Sequence, residues 1–135
     1  MNLTESQLIT VKEAKMAHLD DTVTAYLSTW NATDAAQRQA LLEQHWAPGV
    51  TYTDPLAQVS GHDGISGAIE AVHTQFPGFV FTLVSGPDAH HRQARFQWGL
   101  GPRDADPVVV GFDVLATDGD GRIQTVLGFL DRVPA

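Results

Sequence analysis

The sequence predicts an α+β domain in which three N-terminal helices pack on one face of a curved, mainly antiparallel sheet. Three observations carry this. Apolar residues recur at helical spacing through the first half of the chain; they alternate with their neighbours through the second half; and turn chemistry separates the alternating runs.

Leu19, Val23, Tyr26, Leu27 and Trp30 stack on one helical face, so Thr4 to Trp30 reads as mostly helix. Asn31, Thr33 or Asp34 caps a second helix, which runs through Ala40, Leu41 and Trp46 until Pro48-Gly49 stops it. Thr51-Tyr52-Thr53 reads as a short strand ending at Asp54-Pro55, because proline disfavours helix in the residue before it and cannot donate to a ladder. A third helix follows Ser60-Gly61, with Ile65, Ile69, Val72 and Phe76 on one stripe and Pro77-Gly78 as its end. Everything beyond reads as sheet. Phe79, Phe81 and Leu83 alternate, then Ala94 to Leu100, then Val108 to Val114, with turns at Gly86-Pro87-Asp88, Gly101 to Asp104 and Asp118 to Gly121. The concave face of such a sheet, closed by helices, would enclose a ligand cavity.

With 43% hydrophobic and 18% charged residues, the 135 residues are expected to form a single domain, 1–135, whose residues 1–18 are a helical extension. Cysteine is absent, which excludes disulfides, thiolate-held metals and a thiol nucleophile, and points to a cytoplasmic location. Glu5, Lys12, Glu13 and Lys15 interrupt any secretion-signal core, and no apolar run is long enough for a membrane span. The formal net charge of −8 repels phosphate backbones and anionic lipid, so neither nucleic acid nor membrane is an expected partner. Of the six histidines, His90 and His91 are neighbours and would face opposite sides of a strand, while Asp118 to Gly121 lacks the glutamate of a calcium loop. No metal or cofactor is expected.

Three residues stand out chemically. Asp113 shares a strand face with Val109, Gly111 and Leu115, so it is paired, kept protonated by desolvation, or turned into a polar pocket. Asp54, before a proline, is either a turn former or a rigidly placed base. Tyr26 lies on the apolar stripe of the first helix, with a buried ring and a hydroxyl that needs a partner.

The stretches Val23 to Asp34, Val50 to Pro55, Ser60-Gly61, Val109 to Asp113 and Asp118 to Ile123 together resemble the ketosteroid isomerase and SnoaL-like branch of the nuclear transport factor 2 (NTF2)-like superfamily. The resemblance implies a cone-shaped, cystatin-like fold and a pocket for a small hydrophobic ligand. It further implies that Tyr26 and Asp113 bind a carbonyl oxygen while Asp54 moves a proton. The reaction implied is double-bond isomerisation or SnoaL-type cyclisation, with a non-catalytic ligand-binding or adaptor domain as the alternative. Trp30, Ile69, His73, Trp98 and Phe129 are the expected substrate-binding residues, and a homodimer joined through the convex sheet face is the expected assembly. The pattern departs from the isomerases at Ile69, where they carry a supporting tyrosine, and Gly111 replaces the arginine of the limonene epoxide hydrolases, which disfavours that chemistry.

Overall fold

The computed structural model describes residues 2–134, with the backbone alone for residues 10–17. Helix α1 spans Glu5–Asn31, α2 Ala35–His45 and α3 Gly61–Gln75; strands are β1 Trp46–Thr53, β2 Gln58–Ser60, β3 Phe79–His90, β4 Gln93–Pro102, β5 Val109–Thr117 and β6 Ile123–Arg132. Thr4 starts α1 through a capping box with Gln7, satisfying two backbone donors reciprocally. Asp34, one of the predicted caps, accepts from Gln37 N at 2.8 Å and starts α2.

The sheet is mixed and open, in the order β2-β1-β6-β5-β4-β3, with β1 and β6 parallel and the other neighbours antiparallel. Helices cover its inner face. Between the two layers lie Leu19, Val23, Leu42, Ile65, Phe96 and Leu115, all buried. Arg38 is also buried, but its charge is matched: it pairs with Glu70 at 2.8 Å and donates to Ser66 and the Ala32 carbonyl, locking α2 to α3.

Two boundaries differ from the sequence reading. Trp46 is the first residue of β1 rather than the end of α2, because it pairs with Ile123 and its indole N–H donates to Thr29 Oγ1 at 3.0 Å. Gly86-Pro87-Asp88 is not a turn but an irregularity inside β3, whose ladder with β4 resumes on either side. The real turn is at His91, where φ is +55°, and there the Nδ1 atoms of His90 and His91 approach to 3.0 Å instead of facing apart. Asp118 Oδ1 accepts the N–H groups of Asp120 and Arg122, a hairpin turn as expected.

Candidate active site

A cavity of about 200 Å³ opens between the inner sheet face and helices α1 and α3. Its walls are mostly apolar, with Tyr26, Tyr52, Asp54 and Asp113 as the polar groups and Gln75 toward α3. No lysine, arginine or histidine lines it among the described residues.

Tyr26 reaches this cavity from α1. Its ring stacks on Trp46 at 5.3 Å between centroids and meets the Phe96 edge at 5.3 Å, so the hydroxyl has one direction left to point. It donates to Asp113 Oδ2 at 2.5 Å. Burial drives the Tyr26 hydroxyl well above the usual tyrosine range, and the nearby Asp113 charge adds to the shift. Asp113 is only 2% exposed on β5, whose alternating burial puts it on the face of Val109, Gly111 and Leu115 as its spacing predicts. Desolvation pushes its carboxyl up to about 6, against the hydrogen bonds of Tyr26 and Trp98; the Asp54 charge raises it a little further. Among the described residues neither Asp54 nor Asp113 has a cationic partner, so hydroxyl and N–H donors alone stabilise their negative charge.

Asp54 closes β1, and both readings of it hold at once. Oδ1 accepts the N–H groups of Leu56 and Ala57 at 2.7 and 2.8 Å, a turn-forming role. Oδ2 accepts the Tyr52 hydroxyl at 2.6 Å on the cavity side. Burial is the largest cause of a strong upward shift on Tyr52, which keeps that hydroxyl a proton donor. Asp54 and Asp113 both border Gly128 of β6, where a Cβ would stand 2.6 Å from Asp113 Oδ1 and 3.3 Å from Asp54 Cβ.

Of the predicted substrate-binding residues, Trp30 and Trp98 line the cavity. Trp98 lies over Gly111, where any Cβ would overlap its ring, so the bare backbone at 111 seats the indole. Ile69 does not line the cavity; it is buried in the core, because its stripe on α3 packs against the sheet. His73 does not reach the cavity either, since its Nε2 is bound to the Trp30 carbonyl oxygen at 2.6 Å. Phe129 is 60% exposed on the outer sheet face, because β6 alternation turns it away from its buried neighbour Gly128. Tyr52 and Gly128 escaped the sequence reading. The signals existed: Tyr52 is two residues from Asp54 in a strand and so shares its face, and a glycine inside a strand marks close approach.

The SnoaL-like domain model matches residues 23–126. A SnoaL-like family protein from Agrobacterium tumefaciens C58, proposed to be an isomerase, is 41% identical over 86% of this chain and 99% of its own, with a TM-score of 0.81. A proposed polyketide cyclase from Sinorhizobium meliloti is 18% identical, covering 84% of this chain and 98% of its own at a TM-score of 0.63. A protein of unknown function with a cystatin-like fold, from Methylobium petroleophilum, is 18% identical over 89% of this chain and 80% of its own, at 0.68. The last two likenesses show the fold alone. No curated protein matches the chain.

Proposed function

The chain belongs to the SnoaL-like family, and from that premise we propose that it is an acid/base enzyme acting on a small hydrophobic carbonyl compound, by double-bond isomerisation or SnoaL-type cyclisation. The observation that carries the reading is the 2.5 Å approach of Tyr26 to Asp113 inside an apolar cavity that also holds Asp54. In this reading Asp54 is the base. It removes a proton from the carbon beside the carbonyl, the C–H electron pair becomes a C=C bond, and the carbonyl π pair moves onto oxygen. With Asp113 protonated, the Tyr26 hydroxyl turns from Asp113 Oδ2 to that oxygen, and both groups donate to it as its charge develops. Ketosteroid isomerase uses a neutral carboxylic acid as an oxyanion donor in this way, and the role given to Asp113 rests on the resemblance to it. Asp54 then returns the proton to the far carbon, which isomerises the double bond; alternatively the enolate carbon attacks a second carbonyl of the same molecule, whose oxygen takes the proton, which cyclises it. A site with two carboxyls and, among the described residues, no cation disfavours anionic substrates.

The test needs no knowledge of the natural substrate. A panel of cyclic enones in deuterated buffer, followed by NMR, reports removal of the proton beside the carbonyl. The protein should speed exchange of at least one member, and Asp54→Asn should slow it by roughly 100-fold or more. Exchange no faster than in buffer across the panel would leave a binding domain and overturn the catalytic reading.

The outer sheet face supports a second element of the proposal, a homodimer. Phe112 pairs with Phe129 and Val114 with Leu127 in the β5–β6 register, and Leu127 and Phe129 are exposed. Such a contiguous apolar face suits a second copy of the chain.

A further inference from the structure

We propose that the Trp30 indole N–H is a third donor to the ligand oxygen held by Tyr26. This rests on the acid/base reading above and adds a donor to it.

Trp30 is 5% exposed and lines the cavity, yet its Nε1 is the one buried side-chain polar atom without a hydrogen-bond partner among the described residues. An unmet buried donor costs about 1–3 kcal/mol, and folded proteins seldom retain one without a use. Rotation to find another acceptor is blocked. The Trp30 ring is packed against Tyr52 at 5.6 Å and Phe81 at 5.4 Å between centroids. The ring also sits one helical turn beyond Tyr26, with centroids 6.3 Å apart, so both side chains project from α1 to the same side. The indole N–H lies near enough to the Tyr26 hydroxyl to favour its ionised form, without making a hydrogen bond to it. An oxygen placed against Tyr26 therefore meets the Trp30 N–H as well.

The wall decides which oxygen. Donors converge there, protonated Asp113 among them, whereas Asp54 brings negative charge and no basic side chain among the described residues offsets it. A carboxylate or phosphate would enter against that field, while a ketone enters neutral and gains charge only as the reaction proceeds.

The experiment compares 2-naphthol with naphthalene, which has the same rings without the oxygen, on the full-length protein labelled with nitrogen-15. The Trp30 indole resonance, assigned by its loss in Trp30→Phe, should shift downfield with 2-naphthol and stay nearly still with naphthalene. Trp30→Phe should weaken 2-naphthol binding by about tenfold, the loss of one donor to a partly charged oxygen, and leave naphthalene affinity within about threefold, which also certifies the fold. An unmoved indole signal with 2-naphthol bound, or equal 2-naphthol affinity in the variant, overturns the inference even if carbon-acid exchange persists. A shifted indole signal without any carbon-acid exchange removes the catalytic reading and leaves the donor standing. Absence of 2-naphthol binding to the parent protein overturns the inference and leaves the catalytic reading to the exchange assay.

Discussion

Gly128 of β6 stands opposite Asp113 of β5, and a methyl group on its Cα would lie 2.6 Å from Asp113 Oδ1. The carboxyl holds its place because nothing projects from residue 128. Gly128→Ala should push Asp113 off the Tyr26 hydroxyl and press on Asp54 as well, 3.3 Å from the same point. We expect enone exchange to fall at least tenfold while stability falls by about 1–3 kcal/mol, the usual range for overpacking. Urea unfolding and exchange rates, measured on the same preparation, separate the two effects. Unchanged exchange would mean that the position of Asp113 does not matter to turnover.

Asp113 also makes stability depend on pH in a definite direction. Its folded value of about 6 exceeds the ordinary carboxyl value of 3.8, with desolvation as the main cause. The folded chain therefore holds the proton more tightly than the unfolded chain. The contribution is fully present below the unfolded value and is lost as pH rises through about 6. Each unit of difference corresponds to about 1.4 kcal/mol, so the loss is about 3 kcal/mol across that window. Asp113→Asn keeps an acceptor for Tyr26 and removes the titration. Its urea midpoint should stay flat from acid to neutral pH relative to the parent protein, and a parent midpoint that rises over the same window would contradict the assignment.

Much of this was legible from spacing. Alternation placed Asp113 among Val109, Gly111 and Leu115 on the inner face, and one face of α1 presented both Tyr26 and Trp30. What failed was whatever depends on strand partners. Trp46 reads as helix until its pairing with Ile123 is known, and Gly86-Pro87 reads as a turn until the β4 ladder is seen to continue past it. Ile69 and His73 failed for a related reason: spacing says which residues share a face, but not how far along that face the cavity extends; Phe129 failed because only the pairing of β6 with β5 fixes which of its faces turns inward. The stripe on α3 shows this, since Val72 and Phe76 line the cavity and Ile69 lies in the core.

The apolar outer face yields a prediction about assembly. Leu127 and Phe129 are 50% and 60% exposed on β6, so a charge at either position disturbs no buried packing. Phe129→Glu should leave the thermal midpoint of the isolated chain nearly unchanged, yet shift sedimentation from a dimer to a monomer at micromolar concentration. A parent protein that already sediments as a monomer removes the proposed dimer.

Tyr52 offers the most direct probe of how Asp54 is held. Its hydroxyl donates to Asp54 Oδ2 at 2.6 Å, while the Leu56 and Ala57 N–H groups hold Oδ1, so Tyr52→Phe removes one of three restraints and leaves the turn in place. Because burial pushes the Tyr52 hydroxyl strongly upward, it remains a donor at neutral pH. A base released from one restraint spends less time in the reactive orientation, which lowers kcat more than it raises KM. We expect kcat to fall about tenfold, the equivalent of one hydrogen bond of about 1.4 kcal/mol, with KM within about threefold. The double variant with Asp54→Asn decides whether Tyr52 acts through Asp54. If it does, adding Tyr52→Phe to Asp54→Asn lowers the residual rate hardly at all; independent, additive losses would assign Tyr52 a separate contact with the substrate.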